Sequence, residues 1–214
     1  MILQKGGSPI VTNKRLCLAS ASPRRQELLA QVGIVFDKVL PADIDETPKF
    51  KELPSQLAAR LAYEKAAHIS RQSADEPDIL IMAADTVVSV GRRILPKTET
   101  RVSARECLTL LSGRGHRVST GVCLFNGGAC VAQRLVTSRV RMKPLDAHEI
   151  ETYLASGEWH GKAGGYAIQG KAARFVTRIV GSYSAIVGLP VFETVAMLAG
   201  VGFTVREDGE NNGS

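Results

Sequence analysis

Apolar positions along the chain change spacing repeatedly, and each change marks an element. Arg15 to Ala19 is a short apolar run that reads as a buried strand. Ser22 then offers an N-cap, Pro23 a first helical position, and Gly33 a stop, with Leu28, Leu29 and Val32 as the apolar face. Ile34 to Leu40 alternates like a strand. A second helix starts near Pro54 and runs past Ile69, because Leu57, Leu61, Ala62, Ala66 and Ile69 recur at helical spacing. Asp78 to Ala84 (DILIMAA) reads as a buried strand, and Thr86 to Val90 continues strand-like up to a turn at Gly91. Ser103 and Glu106 have capping-box spacing ahead of a helix ending near Gly113. Arg117 to Phe125, the turn at Asn126-Gly127-Gly128, and Ala129 to Met142 form a long predicted hairpin. Asp146 and Glu149 cap another helix, which stops at Gly157. A glycine-rich segment from Gly161 to Gly170 precedes a strand at Arg174 to Val180. Pro190 opens a last helix, and Phe203 to Val205 is a short strand. Helices alternate with strands and a hairpin follows, so the expected class is α/β with a mixed sheet flanked by helices.

A chain of 214 residues suits one α/β domain, or two lobes sharing one sheet. The expected organisation is a flexible leader over 1–14, a single domain over 15–206 and a polar tail over 207–214. Hydrophobic residues make up 44%, enough for a core, so wholesale disorder is excluded. Aromatics are only 5%, few for a protein that stacks many bases. The net charge of +6 fits either a solvated basic surface or an anionic partner, and the placement of the charges must decide. Cys17, Cys107, Cys123 and Cys130 form no C-x-x-C pair, and the histidines lack metalloprotease spacing, so a zinc site has little support. The N-terminus has no apolar core for a signal peptide, and no apolar run reaches membrane length. A soluble, reduced, cytoplasmic protein with no membrane partner is the expectation.

Four places could carry chemistry. Ser20-Ala21-Ser22-Pro23-Arg24-Arg25 lies between a strand and a helix start, where free N–H groups, hydroxyls and guanidinium forks suit an anion. An ordinary Ser-Pro cap with exposed arginines would read the same. Asp85 follows a buried apolar run and is well sited for a divalent cation, or for capping a turn. Thr86 beside it could donate a hydrogen bond or touch a phosphate. Lys65 shares a helix face with Leu61 and Ile69, so it either snorkels outward or reaches into a site. Lys97 stands on a loop. In the glycine-rich segment Gln169 offers a donor and an acceptor suited to a base edge. The spacing matches neither a Walker A loop nor a Rossmann fingerprint.

Taken in order, these segments resemble the Maf family, the septum-formation inhibitor homologues. The resemblance rests on five motifs. They are Leu18 to Leu29 (LASASPRRQELL), Ala84-Asp85-Thr86-Val87-Val88, and Leu111-Ser112-Gly113-Arg114 with His116. Lys162 to Gly170 (KAGGYAIQG) follows, then Gly181-Ser182-Tyr183 through Val187-Gly188-Leu189-Pro190. It implies a Maf/HAM1 fold, the ITPase-like arrangement of a bent mixed sheet and two lobes around a central cleft. It also implies hydrolysis of a nucleoside triphosphate to the monophosphate and pyrophosphate with Mg²⁺ or Mn²⁺. By position, Ser20, Ser22, Arg24, Arg25, Thr86 and Gln169 would bind substrate, and Asp85, Lys65 and Lys97 would be catalytic. Asp85, with Glu46 or Asp45, would hold the metal. Ile168-Gln169-Gly170 resembles the branch acting on dTTP and UTP, whereas the 7-methyl-GTP branch tends to carry glutamate there. The chain departs from the family at Leu95-Pro96-Lys97-Thr98, where Gly-Lys-Pro is common, and at Gly161, often acidic.

Two other readings stand beside this one: a pyrophosphatase for 7-methyl-GTP or other non-standard nucleotides, and a non-catalytic nucleic-acid-binding or division-regulating protein. Low aromatic content and the clustering of Ser20, Arg24, Arg25 and Asp85 favour the enzyme, with a nucleotide as partner and no stable nucleic acid. Oligomeric state is not readable from the residues. The resemblance admits a homodimer.

Overall fold

The computed structural model describes residues 14–76 and 78–203. The chain opens with strand β1 (Arg15–Leu18), helix α1 (Pro23–Ala30) and the two-residue β2 (Lys38–Val39), then helix α2 (Pro54–Gln72). A long strand β3 (Ile79–Val90) turns back into β4 (Arg93–Leu95), followed by β5 (Lys97–Thr98) and α3 (Arg101–Leu111). The hairpin is β6 (Gly115–Asn126) and β7 (Ala129–Met142). Then come α4 (Ala147–Ala155), β8 (Lys162–Ala163), a 3₁₀ turn over Lys171–Phe175, β9 (Val176–Val180), α5 (Tyr183–Val187) and α6 (Val191–Gly200).

The main sheet runs β2-β1-β3-β6-β7-β9, with β4 also paired to β3. β1 pairs parallel to β2 and β3, while β3, β6, β7 and β9 pair antiparallel, so the sheet is mixed as expected. β5 and β8 form a separate two-stranded sheet. Three long strands carry the architecture, because they support two packing centres. One centre surrounds α3, α4 and the ends of β3 and β6 nearest Val88 and Val118. The other lies on both faces of the sheet where β1 and the first half of β3 meet. These are the two lobes.

The period of a strand decides what β3 presents to each side. Leu80, Met82 and Ala84 pack with Leu28 and Leu29 of α1 and Met197 and Leu198 of α6. Ile79, Ile81 and Ala83 pack with Ala62, Ala66 and Ile69 of α2. The alternation continues, so Asp85 falls on the α2 side and Thr86 on the opposite one. Helices on both faces explain why this strand is a near-continuous apolar run.

Several expectations need correction. Asp85 caps no turn, because the strand runs on through it and Asp85 keeps its ladder partner Gly121. Ile34 to Leu40 yields only the two residues of β2. The α3 cap is Thr100, whose hydroxyl accepts from the Ser103 backbone N–H, so the box is Thr100 with Ser103 rather than Ser103 with Glu106. Arg174 and Phe175 belong to the 3₁₀ turn, and α5 has no counterpart in the apolar pattern. Phe203 is outside any strand, and Thr204 and Val205 lie outside the described residues, as do residues 1–13 of the leader and the tail. The Asp146–Glu149 box and the Pro190 helix start are found as expected.

Gly121 sets the distance between helix and sheet. A Cβ there would lie 2.4 Å from the Ala58 carbonyl oxygen and 2.9 Å from its carbon, both backbone atoms of α2. Only glycine lets α2 approach the sheet this closely at the register of Asp85. Gly121→Ala should therefore destabilise the fold by about 1–3 kcal/mol through overpacking. The check is the midpoint of chemical denaturation, and an unchanged midpoint would refute the close-approach account.

Candidate active site

Asp85 is 3% exposed and faces α2. An isolated buried carboxylate is costly, so its partner matters. Lys65 supplies it. This lysine is itself 7% exposed, and its Nζ donates to Asp85 Oδ1 at 2.5 Å. Snorkelling is thereby ruled out. The same Nζ lies 2.6 Å from Glu46 Oε1, and Glu46 Oε2 accepts from Lys97 Nζ at 2.5 Å. The result is a chain of alternating charge, Asp85–Lys65–Glu46–Lys97, from the buried sheet to the exposed Lys97 on β5. Burial works to raise the Glu46 pKa, but the hydrogen bonds and charges of Lys65 and Lys97 outweigh it and hold the carboxyl at about 2.

The α1 start forms the facing wall. Ser22 occupies the N-cap position, yet its hydroxyl does not cap the helix. Arg25 Nε donates to the Gly188 carbonyl at 2.9 Å and its Nη1 to Ser20 Oγ at 2.8 Å. Ser20 Oγ also accepts from the Ser22 N–H at 3.2 Å. With two bonds accepted, the Ser20 hydroxyl retains its own proton for a ligand. Burial lowers the Arg25 pKa, while Asp85 and Glu46 act the other way. Arg24 is also lowered by burial, and its buried Nε has no hydrogen-bond partner among the described residues.

These groups line one cleft of about 700 Å³, together with Ser20, Ser22, Thr86, Lys97 and Gln169. That is a size suited to a small organic ligand. Val88, Val118, Ile186 and Val187 give it an apolar wall. Gln169 is exposed at the rim, at the end of the glycine-rich segment. The cleft thus gathers every residue singled out by sequence except Asp45. That carboxylate is exposed, accepts from the Thr47 N–H at 2.9 Å in its own turn, and does not line the cleft. No group of three or more His, Cys, Asp or Glu that could hold a metal occurs among the described residues.

Lys162 is a cleft cation that only its place in the KAGGY run could have flagged. It sits on β8 beside β5, which carries Lys97. Burial lowers its pKa and Arg24 lowers it further. Under the segment, His116 Nε2 and the Tyr166 hydroxyl are 2.6 Å apart, both buried.

A profile of the family described as Maf-like protein matches residues 15–201. The chain belongs to this family. Among its Maf-like relatives, a Mesorhizobium japonicum protein named dTTP/UTP pyrophosphatase is 57% identical over 198 residues, covering 91% of this chain and 95% of its own. A Brucella abortus protein of the same name is 55% identical over 194 residues, covering 89% and 93%. Among solved structures, a HAM1 protein from Coxiella burnetii shares the fold with a TM-score of 0.50 at 15% identity, covering 87% of this chain and 99% of its own. No helix of the described residues is long and apolar enough to cross a membrane.

Two outcomes follow from this geometry. Lys65→Met leaves Asp85 buried without its counter-charge and should cost about 3–5 kcal/mol of stability. Adding Asp85→Asn should recover part of that loss, and a double-mutant cycle by denaturation reads the coupling. Additive losses would contradict the pairing. His116, held neutral by burial with a pKa lowered to about 4 from 6.5, destabilises the fold as pH falls through that window. The unfolded chain takes up the proton first, so unfolding free energy should decline between about pH 6.5 and pH 4. His116→Gln should flatten the decline.

Proposed function

We propose that the chain is a nucleoside triphosphate pyrophosphatase that cleaves dTTP and UTP to the monophosphate and pyrophosphate with Mg²⁺ or Mn²⁺. The observation that carries the reading is the Asp85 carboxylate, buried at the floor of a cleft lined by Arg24, Arg25, Lys65, Lys97 and Lys162. The curated names of relatives more than half identical supply the substrate class. A cytoplasmic location suits such a substrate.

The donor set fits a hard dication in one particular way. Mg²⁺ commonly takes one or two carboxylates and completes its shell with substrate phosphates and water. Asp85 and Glu46 supply those carboxylates, and both already neighbour one cationic centre at Lys65 Nζ. A divalent cation held there would neutralise phosphate charge and acidify a water.

The chain's own part is positioning and charge. The Ser20 hydroxyl, the Arg24 guanidinium and Lys162 hold phosphate oxygens. Arg25 is braced by Gly188 and Ser20, so its charge is fixed before the substrate arrives. Lys65 fixes the Asp85 carboxylate, which accepts the proton of the water attacking the α-phosphorus. Lys97, freed from Glu46, meets the charge that develops on the leaving pyrophosphate.

Pyrophosphate release from dTTP, UTP, CTP, GTP and 7-methyl-GTP tests the reading. Selective release from dTTP and UTP, abolished by a chelator, is the expected result. Asp85→Asn should lower turnover about 10²–10⁴-fold with the fold intact. Near wild-type turnover in that variant would sink the assignment, and release confined to 7-methyl-GTP would replace the substrate.

A further inference from the structure

Thr86 and Thr120 are cross-strand partners whose hydroxyl oxygens lie 2.9 Å apart. Distance alone does not say which one donates. The surroundings do. Thr120 Oγ1 is also 2.7 Å from the Ala185 carbonyl oxygen in α5, and a carbonyl can only accept. Each hydroxyl has one proton. The Thr120 proton is committed to Ala185, so the proton between the two threonines belongs to Thr86. Thr120 is fully buried.

The consequence reaches the cleft, which Thr86 lines and Thr120 does not. With its proton turned inward, the Thr86 hydroxyl offers a ligand lone pairs only. A triphosphate near neutral pH is almost wholly an acceptor, so it gains nothing from such a group. The nucleoside does carry donors, and the ring N3–H of thymine and uracil is one. Cytosine has a bare acceptor at that position. We propose that Thr120 sets Thr86 as a hydrogen-bond acceptor for the N3–H of a uracil or thymine ring, and so acts as a positioning residue for pyrimidine selection. The inference rests on the nucleotide reading above and gives the apolar wall of Val118 and Ile186 a base to pack against.

The test compares kcat/KM for UTP and CTP in the wild type, Thr120→Val and Thr120→Ser. Thr120→Val keeps the shape but removes both the acceptor for the Thr86 proton and the donor to Ala185. The freed Thr86 hydroxyl can then turn its proton to the cytosine ring nitrogen. UTP turnover should fall, CTP turnover should rise, and the UTP:CTP ratio should drop about tenfold or more. Thr120→Ser should retain the wild-type ratio. A purely structural loss from the unpaired Ala185 carbonyl would lower both substrates together and leave the ratio unmoved, and that result overturns the proposal. Thr120→Ala serves the same comparison if the valine variant does not fold. If the wild type cleaves no nucleotide, the pyrophosphatase reading fails. Calorimetric titration with UMP and CMP then reads the ratio directly, and equal ratios in wild type and variant refute the threonine relay.

Discussion

The buried pairing of Lys65 with Asp85 is the constraint around which the rest is arranged. A carboxylate in the middle of a central strand is tolerable only if a cation reaches it, and that cation must come from the helix lying on the same face. The phase of β3 turns Asp85 toward α2. The phase of α2 places Lys65 on its buried face between Leu61 and Ile69. Gly121, the ladder partner of Asp85, removes the side chain that would hold the helix away. Three residues from three elements therefore depend on one another.

From that pair, charge is passed outward rather than left buried. Glu46 takes the second face of the Lys65 ammonium and Lys97 takes the second oxygen of Glu46. The opposite wall is built differently. Among the described residues, Arg25 is held by a carbonyl and a hydroxyl instead of by a carboxylate within ion-pair distance, and Arg24 is left with an unpartnered Nε. One side of the cleft is internally neutralised and the other keeps a surplus of positive charge. An anion in the cleft is drawn toward the surplus side.

Much of this was legible in the sequence. The strand, the Pro23 helix start and the arginines after it follow from local rules, and the hairpin from its Asn-Gly-Gly turn. Lys65 is the instructive case. Its position on the apolar face was plain, but whether it snorkelled or reached inward depended on Asp85, twenty residues away on another element. Asp45 stands outside the cleft for the complementary reason. Adjacent acidic residues look alike in a sequence, yet Asp45 closes its own turn while Glu46 points to two lysines. The cap of α3 shifted because Thr100 and Ser103 have the same three-residue spacing as Ser103 and Glu106, and the box forms on the earlier pair. The hydroxyl relay through Thr120 had no local signature at all, since it joins β3, β6 and α5.

The β3–β6 ladder continues without a register break from Ile81 opposite Phe125 to Ser89 opposite Arg117, passing through Asp85. It joins both lobes with one stretch of hydrogen bonds. A ladder of this kind resists bending, so the lobes are poor candidates for hinged halves. The edge of the cleft is built from lighter pieces, the segment bearing Glu46 and the small β5–β8 sheet that carries Lys97 and Lys162. Movements of such loops are typically faster than those of whole domains. Any adjustment to a ligand would therefore fall on those edge pieces, while the ladder holds the floor at Asp85 in place.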